Sequence, residues 1–171
     1  LYNKSGEKHK TSYEEIKYTI ELSNTVNLDS LTKEVYYIFN EYRRYVGVDT
    51  LIFDSILTKA AEIQSKYCLS IDKCTHSNEN SDNETPIKRL KNVDKNNTLK
   101  FTGEICSIDK IFMAVNRKRS IDEDILDGYY SSLPHRKILE KDYSTKIGIS
   151  IHKYKDALYV VAVFGVDNKD Y

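Results

Sequence analysis

Ile147-Gly148-Ile149-Ser150-Ile151-His152-Lys153-Tyr154-Lys155-Asp156-Ala157-Leu158-Tyr159-Val160-Val161-Ala162-Val163-Phe164 is the stretch that decides the fold class. Its two flanks, Ile147 to His152 and Ala157 to Phe164, are rich in β-branched and aromatic residues, the composition of strands. Lys153 to Asp156 between them is a turn of hairpin size. An antiparallel pair therefore closes a chain whose earlier periodicity is helical. Helices first and a hairpin last predict an α+β domain with helices packed on a sheet.

Working back from that hairpin, Pro134 opens a short helix ending near Leu139. Ser120-x-x-Glu123 is a capping box ahead of a helix that turns Ile121, Ile125, Leu126 and Tyr129 inward. Phe101 to Ile105 reads as a strand. Side chains alternate along a strand, so Glu104 and Cys106 share a face. Pro86 suits the first turn of a short helix through Leu90, between polar loops at Ser77–Glu84 and Lys91–Asn97. Leu51, Ile52, Leu57, Ala60, Ala61 and Ile63 describe an amphipathic helix from about Asp54 to Tyr67. Leu31, Val35, Ile38, Phe39, Tyr42 and Val46 describe another, stopped at Gly47. Ser12-x-x-Glu15 caps a short helix over 12–23 with Ile16, Ile20 and Leu22 as its apolar positions. Leu1 to Lys10 is polar and reads as a tether. The expected organisation is thus a polar leader with a short helix over 1–30 and one domain over 31–171.

A chain of 171 residues can bury a substantial core as one domain. Its 26 Lys+Arg cancel 26 Asp+Glu, so no global field recruits nucleic acid. Arg117-Lys118-Arg119, the densest basic run, reads as a solvated loop. No run reaches the roughly 20 apolar residues of a membrane helix. The chain starts at Leu1 without Met, so a mature fragment is expected, with any signal peptide or lipidated Cys upstream. Cys68 and Cys74 are near enough in sequence for a small disulfide, and three free or buried thiols (with Cys106) are the alternative.

Three segments carry the candidate chemistry: Cys74-Thr75-His76-Ser77, Thr102-Gly103-Glu104-Ile105 and Leu133-Pro134-His135-Arg136-Lys137-Ile138-Leu139. Two imidazoles and a carboxylate are the minimum set for a neutral-pH metal site or for acid/base chemistry. His76 could equally be a loop residue, and His135 a helix-start residue bonding backbone. Glu104 inside an apolar strand needs a partner, because a buried carboxylate is costly alone. That partner is either chemistry or the backbone N–H groups of a loop. Cys106 has the two readings of a thiol beside an imidazole and an inert core thiol. Arg43, Arg44 and Arg136 have two readings: a structural one, in which Arg136 pairs with an acid and fixes the local helix, and an anion-binding rim. The 14 Tyr fall mostly on apolar helical phases, as Tyr36, Tyr42 and Tyr129 do.

Several ordered motifs resemble one family. Asn40-Glu41-Tyr42-Arg43-Arg44, Gly47, Leu51, Asp54, Leu57 and Ala61 resemble the opening helices of the CAP superfamily. This is the group of cysteine-rich secretory, antigen 5 and pathogenesis-related 1 proteins, with SCP-like domains. His76-Ser77, Arg89-Leu90, Gly103-Glu104-Ile105, Leu133 to Leu139 and Ile147-Gly148-Ile149 continue the likeness over about residues 31–166. The resemblance implies an α-β-α sandwich around an antiparallel sheet, with a cleft of two His and two acids that can bind zinc or another divalent cation. His76, Glu104 and His135 fill three of those positions as the candidate metal or catalytic residues. Ser132 stands where the second acid belongs, Ile105 replaces the usual Asn, and Tyr129 takes the place of a Trp.

The composition and leader also resemble a spirochaetal, Borrelia-type outer-surface lipoprotein with a lone CAP domain. What this implies is a surface-displayed, non-enzymatic protein, lipid-anchored in its precursor, that meets a host or envelope partner or a small ligand. A metal-assisted hydrolase using the same cleft and a sterol- or lipid-binding protein are the alternatives.

Overall fold

The computed structural model describes residues 12–170, and the expected tether over Leu1–Lys10 lies outside them. Among the described residues a four-stranded sheet has the order β1-β3-β4-β2 and is flanked by helices on both faces. The expected hairpin is its centre. β3 (Lys146–Tyr154) and β4 (Ala157–Asp167) pair antiparallel from Lys146 opposite Gly165 to Tyr154 opposite Ala157. The turn is tighter than the sequence suggests, because Lys155 adopts a left-handed φ of 54° and leaves only Lys155-Asp156 between the strands. β4 is buried from Ala157 through Val166, on both faces, which is why its sequence is continuously apolar.

β2 spans Leu99–Lys110, far beyond the short strand expected, and pairs with β4 as an edge strand with a register shift between Phe101 and Gly103. β1 (Ile52–Phe53) forms the other edge, parallel to β3. The apolar periodicity groups Leu51 and Ile52 with a helix, and the structure corrects this. The carboxylate of Asp54 accepts the N–H groups of Ile56 and Leu57 at 2.8 and 3.0 Å, which starts the helix at Ser55 and leaves Ile52 extended and its neighbour Leu51 outside the helix.

One face of the sheet carries α2 (Leu28–Tyr45) and α6 (Ile121–Ser131), whose Leu31, Val35, Phe39, Ile125 and Tyr129 pack on Ile105, Ile149 and Val160. The other carries α3 (Ser55–Ile71) and α4 (Pro86–Val93), where Leu57, Ala60, Ala61 and Leu90 meet Cys106, Val161 and Val163. α3 presses on β3 at Gly148. A Cβ there would stand 2.0 Å from the Thr58 amide nitrogen, so only glycine allows this approach.

α1 (Tyr13–Thr25) has the expected capping box, but its face differs. Thr19 and Ser23 are buried and Leu22 is partly buried, whereas Ile16 and Ile20 are exposed. Its contacts are with α5 (Ile111–Arg117), a short helix that no capping or periodicity signal announces. Of the Arg117–Arg119 run, Arg117 ends that helix, while Lys118 and Arg119 lie in the exposed loop expected of it. Arg117 and Arg119 each meet an α6 carboxylate at 2.8 Å, Asp124 and Asp127, so the run is tied to α6. α7 (Leu133–Leu139) follows α6 with Pro134 in its first turn. No helix among the described residues is long and apolar enough to cross a membrane.

Candidate functional site

Among the described residues β2 is an edge strand of the sheet, and its alternating side chains meet a different helical layer on each face. Glu104 and Cys106 face the layer of α3 and α4, while Ser107 and Asp109 neighbour Tyr129 in the layer of α6.

His76 approaches from the loop after α3. Gln64, buried on α3, donates to the carbonyls of Thr75 and Ser77 at 2.5 and 3.1 Å and so brackets this residue. His76 Nδ1 lies 2.9 Å from Glu104 Oε1. A carboxylate only accepts, so Nδ1 carries the hydrogen and Nε2 stays outside this bond. The bond to Glu104 holds the imidazole pKa above its ordinary value, against a smaller opposing effect of burial. The imidazole is half exposed, while the Glu104 side chain is 1% exposed.

The group that sequence reasoning missed is Arg89, which stands in the sequence only as part of the Arg89-Leu90 motif, with no role attached. Its guanidinium, fully buried, reaches both Glu104 oxygens from Nη2, at 2.8 and 2.7 Å. Nη1 donates to the carbonyls of Asn83 and His76, at 2.9 and 3.2 Å. A signal exists in principle, since a carboxylate on an apolar strand requires a cation. Nothing in the sequence points to an arginine 15 residues upstream.

His135 stands on α7 with its ring edge-on to Tyr129, centroids 5.3 Å apart. Burial, then the charge of His76, lowers its pKa, so the two histidines lie within electrostatic reach of each other. Tyr129 is fully buried. Its hydroxyl is hydrogen-bonded to Ser107 at 2.8 Å, and Ser107 in turn to Asp109. Burial pushes the Asp109 carboxyl up to about 6. Ile105, at the position of the family's Asn, belongs to the core.

The expected set His76, Glu104 and His135 does not fit a three-ligand metal centre. Both Glu104 oxygens are held by Arg89 and one also by His76, and among the described residues no group of three or more His, Cys, Asp or Glu side chains is placed to hold an ion. His76 Nε2 and the His135 ring are what remain.

All three cysteines are free. Cys68 donates to the Thr75 carbonyl at 3.5 Å and accepts from Gln64, so the near-in-sequence pair is not bonded. Cys74 packs against the cluster that contains Cys106; interaction with Cys106 lowers the Cys74 pKa, and interaction with Cys74, then burial, pushes Cys106 up. Cys106 Sγ is 3.9 Å from His76 Nε2. Of the arginines, Arg43 is fully buried on backbone carbonyls, Arg44 pairs with Glu41 at the surface, and Arg136 stacks on Tyr130 and lies 4.0 Å from Glu140.

The profile of the cysteine-rich secretory protein family, CAP, matches residues 36–165. The chain belongs to the CAP family. No curated protein matches the sequence significantly. Among solved structures it is similar to an outer surface protein from Borrelia burgdorferi, with a TM-score of 0.66 and 18% identity over 84% of this chain and 97% of that one. It is also similar to an extracellular SCP-domain protein from Bacillus anthracis, TM-score 0.61 and 18% identity, over 80% of this chain and 40% of that one. A cysteine-rich secretory protein from Staphylococcus aureus gives 0.55 at 16%, over 82% and 40%. At these identities the likeness is one of fold, and it bears out the mixed sandwich expected of a CAP domain.

Proposed function

We propose that this CAP domain is exported, displayed on a bacterial surface, and acts by binding rather than by catalysis. The observation that carries the reading is the Arg89–Glu104 pair. The carboxylate best placed to serve as a base or metal ligand is neutralised by a buried guanidinium along both of its oxygens. What stays accessible is His76 Nε2 and the His135 ring, which rests edge-on against the buried Tyr129, a pair suited to a small ligand or a weakly held divalent cation. Outer-surface and extracellular proteins of the same fold support the location. A lipid on an upstream Cys would provide attachment, and helical faces would meet a host or envelope protein.

The test is a calorimetric titration of chelator-stripped protein with zinc, beside the His76→Ala/His135→Ala double variant. Weak binding that vanishes in the double variant is expected. Tight stoichiometric binding, or ester or peptide hydrolysis lost in both single variants, would overturn the non-enzymatic reading. Labelled fatty acid that fails to enter the full-length protein in cells would remove the lipid anchor.

A further inference from the structure

At the edge of the sheet opposite β2, β1 pairs with β3 only through Lys146 and Ile147. From Gly148 onward β3 has no strand on that side among the described residues, and a groove of about 740 Å³ runs between α2 and α3 over Ile149 to His152. That size lies within the roughly 300–1,000 Å³ of small-molecule sites. One wall is aromatic. Tyr36 packs against Tyr37 and edge-on against Phe53, with ring centroids 5.5 and 5.6 Å apart, and its hydroxyl is anchored by donating to the Leu51 carbonyl at 2.9 Å. Tyr37 and Phe53 are 64% and 43% exposed, so much of each stays open to a ligand.

The floor is polar. Buried Ser65 of α3 has its hydroxyl 2.9 Å from that of Ser150, 3.0 Å from His152 Nδ1 and 3.2 Å from the Glu62 carbonyl. A hydroxyl carries one hydrogen, so Ser65 donates to one of the three, and its bond with Ser150 can run either way. Ser150 and His152 line the groove, and Ser150 offers it a donor in one arrangement and only an acceptor in the other. Charge is balanced there. Asp29 and Lys33 on α2 cancel, and Glu62 is paired with Lys66 on α3. Burial, then the charge of Lys66, lowers the His152 pKa and favours the neutral imidazole.

These features select among occupants. An ion finds no net charge. An acyl chain would take water from Ser150 and His152 and give no hydrogen bond in return. A peptide strand would need the main chain of β3, where Ile149 and Ile151 are only 1% and 6% exposed. We propose that the groove binds a neutral sugar. A pyranose has an apolar C–H face to lie on Tyr37 or Phe53. Its rim of hydroxyls, each donor and acceptor at once, matches Ser150 and His152. Neither His76 nor His135 lines this groove, so it is a second site.

The experiment titrates isotope-labelled protein with cellobiose, lactose and N,N′-diacetylchitobiose and follows the residue shifts by NMR. Saturable shifts at Tyr37, Phe53, Ser150 and His152 are expected with at least one sugar. Tyr37→Ala or Phe53→Ala, both at exposed positions, should weaken binding roughly 3–10-fold, and Ser150→Ala by a similar factor. Tyr45→Ala, which removes an exposed ring outside the groove, should leave it unchanged. No saturable shift with any of the sugars, shifts confined to other residues, shifts with decanoate but with no sugar, or unchanged binding in both aromatic variants would each overturn the proposal. Should Ser150→Ala fail to fold, the two aromatic variants decide alone.

Discussion

Arg43 and Arg89 are both completely buried, and they take opposite kinds of partner, with Arg89 Nε left unbonded. Arg43 meets no carboxylate. Its Nε donates to the Asp49 carbonyl at 2.6 Å, Nη1 to those of Leu139 and Lys141 at 2.6 and 3.1 Å, and Nη2 to that of Ser144 at 3.2 Å. It fastens the end of α2 to the turn before β1 and to the segment between α7 and β3. Burial lowers its pKa, against the charges of Asp49 and Asp142. Arg89 spends its guanidinium on Glu104 and on the loop that carries His76. One buried cation is a fastener made of dipoles, whereas the other ties up the only carboxylate among the three candidate site residues. An arginine motif in the sequence looks the same in both cases, and only the identity of the acceptor separates a structural from a functional consequence.

The strongest way to break that comparison is to strand the charge at one site. Glu104→Leu leaves Arg89 buried without its counter-ion and is expected to cost roughly 3–5 kcal/mol in urea unfolding. Adding Arg89→Met should recover most of the loss, because a buried pair replaced by apolar groups is often nearly neutral. A single variant as stable as the parent would mean that water reaches Arg89 and that the pair does not close off Glu104.

At the other site Arg43→Met removes the donors and leaves four carbonyls to find partners, a loss of roughly 2–4 kcal/mol by the same measurement. No replacement of one acid can rescue it, since no acid is its partner. Rescue by changing Asp49 alone would show that its carboxylate, and not its carbonyl, is the acceptor.

The smallest effect sharpens the cleft itself. In a proton NMR titration His76 should titrate above the ordinary 6.5 and His135 below it. Glu104→Gln should bring His76 down and leave His135 low. The linked stabilities oppose each other. The His76 contribution is complete below about 6.5 and fades as pH rises through its raised folded value. The His135 contribution is complete above about 6.5 and fades as pH falls through its lowered value. The two groups together should therefore give a stability maximum near pH 6.5; His76→Ala should flatten the fall above it and His135→Ala the fall below it.

Much of this is legible in the sequence where local chemistry decides the outcome. The capping boxes at Ser12 and Ser120, Pro86 and Pro134 in first turns, and the 3.6-residue spacing of Leu31, Val35 and Phe39 act within a few residues. The placement of His76 beside Glu104 follows from ordered motifs. Local reading fails where neighbours in space, far apart in sequence, set the result. Ile16 and Ile20 have helical spacing, yet α1 turns Thr19 and Ser23 inward because Ser23 donates to the Lys155 carbonyl across the molecule. Cys74 lies close to Cys68 in sequence but packs against the other cluster, that of Leu57, Leu90 and Cys106.

By itself the sequence determined the α+β class, the helix starts, the hairpin and the family, because each rests on periodicity, capping and motif order along the chain. Tertiary structure alone decided that Glu104 is paired with Arg89, that Arg43 is a fastener, and that the three candidate residues do not converge as metal ligands. The physical reason is burial. Once water is excluded, every charge must take the nearest partner that the packed layers supply, and which partner that is depends on distances the linear order does not contain.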